Sequence, residues 1–164
     1  MCPAKRGIWP MAPDGTSFYL SVRNQEEAKN MVEQISIFAE NRKGSMREIT
    51  QLLTENDLNI YCAITNDSAE YGIVRLLVDE TERAMELLLA NHFTCKKSRV
   101  IGVKIPDDVG SLNKLLSDIE DSNINLDYLY VSYSREDATP VAILHASDYA
   151  EVEACLKSRG YSLI

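Results

Sequence analysis

ENRKGSMREITQLLTENDLNI, from Glu40 to Ile60, and PDDVGSLNKLLSDIEDSNINL, from Pro106 to Leu126, carry one pattern twice. In each, a polar loop leads into a Gly-Ser pair, an apolar stripe follows at helical spacing, and an Asn stands between two aliphatic residues. Gly44 to Gly110 and Asn59 to Asn125 are both steps of 66 residues.

Outward from these stretches the repeat persists. Ile35, Ile37 and Ala39 alternate as on one face of a strand, and a step of 66 lands on Ile101, Val103 and Ile105. Met46, Ile49 and Leu53 form a helical stripe answered by Leu112, Leu115 and Ile119. LNIYCAIT and INLDYLYVSYS read as second strands. GIVRLLVDE then aligns with PVAILHASD at a step of 68, so the second copy gains two residues in the hairpin around Ser134 to Thr139. The closing helices, TERAMELLLANHF and YAEVEACLKSRGY, keep that step, matching Leu88 with Leu156 and Phe93 with Tyr161.

Strand, helix, strand, strand, helix, strand is the order of the ferredoxin-like unit, whose two helices cover one face of a four-stranded antiparallel sheet. The pattern predicts an α+β chain of two βαββαβ repeats, their antiparallel sheets packed as a tandem pair, edge to edge or face to face, because each unit alone leaves edges unpaired. The expected division is an extension over 1–31, a first domain over 32–98 and a second over 99–164, joined through TCKKSRVIGVKI without a linker. Pro3, Pro10, Pro13 and Asp14-Gly15 break any periodicity in the extension, which reads as an arm or a disordered segment.

Composition narrows the partners. The 164 residues are 45% hydrophobic, enough for a core, and 17 basic against 25 acidic residues give a net charge of −8. That balance opposes phosphate backbones and anionic lipid surfaces, so neither nucleic acid nor membrane is expected as a partner. No apolar run approaches the ~18 residues of a membrane span, and the leading segment has no signal core, which predicts a cytoplasmic protein. Cys2, Cys62, Cys95 and Cys155 are scattered with no CxxC, the pattern of isolated thiols rather than of zinc or iron-sulfur ligands, and no cofactor is expected.

Each Gly-Ser pair begins a helix, where backbone N–H groups of Gly44, Ser45 and Met46, or of Gly110, Ser111 and Leu112, lack helical partners. A helix N-terminus favours a negative group by roughly 0.3 to 1 kcal/mol, and a charge-assisted hydrogen bond adds roughly 1.5 to 3. A Gly-Ser start also often serves only its own helix. Asn59 and Asn125 change the reading: each opens a second strand, where an amide oxygen could accept from an ammonium while the loop donates to a carboxylate. Together these groups describe a site for a free α-amino acid.

At these residues the chain resembles the ACT domains, ferredoxin-like modules that bind amino acids and regulate metabolic proteins. The resemblance covers Val32 to Ile164 and is closest to the serine-binding regulatory domain of phosphoglycerate dehydrogenase, with its pattern His-x-Asn-x-Pro-Gly and a further Asn fifteen residues after the Gly. AENRKGSM keeps Asn41 and Gly44, and Asn59 stands at the family's distance, while Ala39 replaces the His and Lys43 the Pro. In the second copy Asp107 takes the place of Asn41, Ile105 that of the His, Val109 precedes Gly110, and Asn125 is kept. The resemblance implies allosteric regulation in amino-acid metabolism, with two unlike sites at the Gly loops of the inter-domain interface. Its output would pass to a homodimer partner or a regulated enzyme.

Catalysis is not expected. His92 and His145 fall in different repeats at unmatched positions, and no Ser-His-Asp order, phosphate loop or metal cluster is present in the sequence. Two alternatives stay open: a regulatory subunit of a separate enzyme, such as the small subunit of acetolactate synthase, and a small ferredoxin-like enzyme such as an acylphosphatase, for which Arg42 would serve as anion ligand. Tyr128 and Tyr130 share one strand face and read as sheet packing with hydroxyls at the rim.

Overall fold

The computed structural model describes residues 31–66 and 71–164. The strands are β1 (Met31–Glu40), β2 (Ile60–Asn66), β3 (Tyr71–Val78), β4 (Thr94–Lys104), β5 (Tyr128–Tyr133), β6 (Pro140–His145) and β7 (Ser162–Leu163). Between them run α1 (Ser45–Thr54), α2 (Thr81–Ala90), α3 (Ser111–Glu120) and α4 (Tyr149–Ser158). The extension expected over 1–31 lies outside the described residues except for Met31, which already belongs to β1. No helix among the described residues is long and apolar enough to cross a membrane.

The predicted βαββαβ order is found twice, with β4 used by both copies. Its pairings are antiparallel in the order β2-β3-β1-β4-β6-β5, with β7 also on β4. β1 pairs β4 from Phe38 opposite Thr94 to Met31 opposite Ile101, and β6 pairs β4 from Leu144 opposite Ile101 to Val141 opposite Lys104. TCKKSRVIGVK is thus one unbroken strand, and the boundary expected at 98/99 falls inside it.

Alternation along the strands sorts side chains into three clusters. Ile35, Ile37, Val74 and Leu76 meet Ile49 and Leu53 of α1 and Leu88 of α2 in one core. Ile101, Val103 and Leu144 meet Leu115 and Ile119 of α3 and Leu156 of α4 in the second. Every residue of the predicted strand and helix stripes is buried except Met46, Leu112 and the strand-end Ala39, which pack at the edges of the same clusters, as the 3.6- and 2-residue periods require.

The third cluster lies on the opposite sheet face: Leu77 of β3 and Val100 of β4 with Tyr130, Val141 and Ile143. It shows that the sheet folds over on itself. In a flat sheet β1 and β5, three strands apart, would be about 14 Å from one another. Instead the Gln34 amide N–H donates to the Tyr128 hydroxyl at 2.8 Å, and the Tyr130 hydroxyl donates to Gln34 Oε1 at 2.8 Å. The Arg75 guanidinium lies 4.1 Å above the Tyr128 ring. The Tyr130 hydroxyl is therefore not at the rim. It is buried between the halves, where desolvation raises its pKa. Gln34 is fully buried and finds its partners across the interface, as a buried amide must.

Candidate ligand loops and the comparisons with known proteins

In the first repeat the chain leaves β1 at Glu40 and turns into α1 through Gly44, which has φ +94. A Cβ at Gly44 would meet no atom within 4 Å, so conformation rather than space calls for glycine there. The Arg42 N–H donates to the Glu40 carbonyl at 2.8 Å, the Ser45 N–H to the Arg42 carbonyl at 3.2 Å, and the Ser45 hydroxyl to the Glu40 carbonyl at 2.7 Å. No side chain caps α1, and of its first N–H groups those of Met46 and Arg47 have no backbone partner among the described residues.

Charge in this loop is largely committed. Arg42 grips Glu48 with two hydrogen bonds, at 2.8 and 2.6 Å, and its Nε lies 3.3 Å from Glu40. The hydrogen bond from Arg42 lowers the pKa of Glu48. Lys43 is exposed beside it. The loop borders a hollow of about 380 Å³, whose edge is formed by Asn41, Ser45 and Met46 on one side and Thr65, Asn66 and Gly72 on the other. A second hollow on the far side of the loop holds His92 and Phe93, from the end of α2. Thr65, Asn66 and Gly72 are missing from the sequence-based set. The ferredoxin order would have supplied them, because it places the β2–β3 hairpin beside the end of β1.

The second loop repeats the backbone and not the charges. Gly110 has φ +93, the Ser111 N–H donates to the Asp108 carbonyl at 3.2 Å, and again no side chain caps the helix. Asp107, Asp108, Val109 and Gly110 are exposed, while Ser111 and Leu112 are half-buried. Two carboxylates and no cation stand between Ile105 and Gly110, so a carboxylate ligand would meet repulsion there.

The two strand-opening asparagines do not face the loops of their own repeats. Asn59 donates its N–H to Asp79 Oδ1 at 3.1 Å and accepts from the Asp79 N–H at 3.2 Å, at the end of β3 remote from Gly72. Seven residue steps along the extended strand carry the chain from Gly72 to Asp79, roughly 23 Å. In the second repeat, just after Asn125, the Asp127 N–H donates to the His145 carbonyl at 2.9 Å. Loop two lies at the other end of β6, where the Ile105 N–H donates to the Pro140 carbonyl at 3.0 Å. The reason is local: a ten-residue helix carries the chain about 15 Å away from its own N-terminus. Nor do the two Gly loops meet at the interface between repeats. They follow the C-terminal ends of β1 and β4, and those strands are antiparallel neighbours.

The histidines stay apart. His145 Nδ1 is 2.9 Å from an Asp127 carboxylate oxygen, and its ring stacks on Tyr128 with centroids 4.6 Å apart. His92 has φ +66 in the turn after α2.

A family model described as an ACT domain pair matches residues 30–151. Among solved structures, protein BT0572 from Bacteroides thetaiotaomicron superposes with a TM-score of 0.76 at 25% identity, covering 82% of this chain and 92% of that one. The ligand-free regulatory subunit of aspartate kinase from Thermus thermophilus gives 0.56 at 14% identity, covering 77% and 89%. That from Thermus flavus gives 0.54 at 14%, covering 79% and 93%. A search of curated proteins gives no match. The two aspartate kinase subunits share the fold, and the family model spans most of the sequence: the chain belongs to the ACT domain pair family.

Proposed function

We propose that this protein is a non-catalytic sensor that binds a free amino acid and passes the result to another protein. The observation that carries the reading is loop one. There, Gly44 in the left-handed conformation leaves the first turn of α1 uncapped beside a hollow edged by Asn41, Ser45, Thr65 and Asn66. A ligand carboxylate would accept from the N–H groups of Met46 and Arg47, and amide oxygens of Asn41 and Asn66 would accept from the ammonium.

Loop two would bind a different ligand, or bind more weakly, because Asp107 and Asp108 stand where loop one has Asn41 and Arg42. Asn59 and Asn125 join a Gly-loop site only if a second copy of the chain presents them, as a homodimer would; a regulated metabolic enzyme would take the output without them. The acylphosphatase alternative is disfavoured by Arg42, whose guanidinium is engaged by Glu48 and Glu40.

The test is a thermal-shift screen of the twenty amino acids, followed by calorimetry on the best of them. At a ligand concentration near 100 times Kd, linkage adds about 2.7 kcal/mol. For a chain of this size that raises Tm by about 5 to 10 °C. Gly44→Asp, which puts a carboxylate at the loop, should abolish the shift with the fold intact. If none of the twenty moves Tm by more than about a degree, the sensor reading fails.

A further inference from the structure

The halves of the folded sheet do not close over their whole length. At the end where β3 gives way to α2, the cluster between them opens into a groove of about 530 Å³. Its floor and walls are Val32 and Leu77 from the first repeat and Val141, Ile143 and Ile164 from the second. Ile164 closes one side by lying over Gly102, where any Cβ would come within 2.5 Å of it. The volume is that of a small-molecule site, and the lining is predominantly apolar, as such sites are.

The rim is made by the hairpin in which the second repeat gains its two residues. That hairpin carries Arg135 across to the first repeat, where its guanidinium lies 4.2 Å above the Tyr61 ring and 3.5 Å from the Ile60 carbonyl. The other charges there are differently placed. Lys104 is held by Asp137 at 2.9 Å, and Glu33 by Lys97 at 3.0 Å. Among the described residues no carboxylate pairs with Arg135. Glu136 shares the rim as an exposed acid beside it. An apolar slot between the halves of the folded sheet, with a stacked guanidinium at its mouth, matches a flat apolar body ending in one negative group.

The geometry points to a second ligand site in this groove, for a small aromatic carboxylate whose ring lies against Val32, Tyr133 and Ile164, above the buried Leu77, Val141 and Ile143, and whose carboxylate pairs with Arg135. It is separate from the Gly loops, shares no lining residue with the hollow at loop one, and makes no use of an ammonium group. Because both repeats line it, an occupant would hold them together like a wedge seated in both jaws.

Calorimetric titration of the full chain with 3-phenylpropionate, which lacks the ammonium that the amino-acid reading requires, tests it directly. The expected result is one saturable site per chain. The uncharged 3-phenylpropanamide should bind at least about fivefold more weakly, and Arg135→Gln should lower affinity for the acid about tenfold, the loss of one charge-assisted pair. Glu136→Gln should strengthen binding by relieving repulsion, and Ser132→Trp, from a lining position, should block it. Gly44→Asp should leave the titration unchanged even if it abolishes the response to amino acids. No saturation up to about 10 mM, equal affinities for acid and amide, or loss of binding in Gly44→Asp would each overturn the proposal.

Discussion

Gly44 and Gly110 have φ values of +94 and +93, so the two copies turn alike at this point. Both stand in open space, and Gly44→Ala should destabilise the fold by about 1 kcal/mol through backbone conformation alone. Urea unfolding of the variant measures it, and an unchanged midpoint would mean that the turn relaxes. Gly102 is glycine for the opposite reason, the space occupied by Ile164. Residue type and spacing were enough to make the two loop glycines legible, because a glycine kept at the same point of two copies marks a turn. The asparagines were legible as a repeat and misleading as neighbours of the loops. Fifteen residues of chain separate Asn59 from Gly44, and that number does not reveal that a whole helix lies between them.

At the scale of elements the copies are built alike and fastened differently. Asp118 on α3 takes hydrogen bonds from Lys114 at 2.6 Å, Arg159 at 2.8 Å and the Tyr161 hydroxyl at 2.6 Å, tying α3 to the segment after α4. The corresponding positions of Asp118 and Tyr161 in the first repeat are Leu52 and Phe93, which pack against its core. Hydrogen bonds from Lys114 and then Tyr161 lower the Asp118 carboxyl from 3.8 to about 2. A depressed carboxyl contributes stability above its ordinary range and loses it as pH falls toward the folded value. Native stability should therefore decline between about pH 4 and pH 2, and Asp118→Asn should flatten that part of a urea-midpoint profile. A variant profile parallel to the parent's in that window would remove Asp118 from the account. The strands and helices themselves were readable from period. What covers the second face of the sheet was not, because a period of two assigns Tyr130 and Gln34 to a face without saying that each is the other's partner.

For the molecule as a whole, β4 decides the architecture. Cutting the chain between Ser98 and Arg99 would divide one strand and expose Tyr130, Val141 and Ile143, all buried now against the other half. Separately produced halves should melt without cooperativity or self-associate, measured by calorimetry and size-exclusion chromatography. Two monomeric halves with sharp transitions would make the repeats independent domains. Ile101 sits opposite Met31 on one side and Leu144 on the other, a single position that answers to both copies at once. The loops from Asn41 to Gly44 and from Asp107 to Gly110 each answer to one copy. Over many generations the two halves are therefore free to part company in what they recognise while remaining bound to a common inheritance along their shared strand, and neither half can be discarded once the other has come to rely on it.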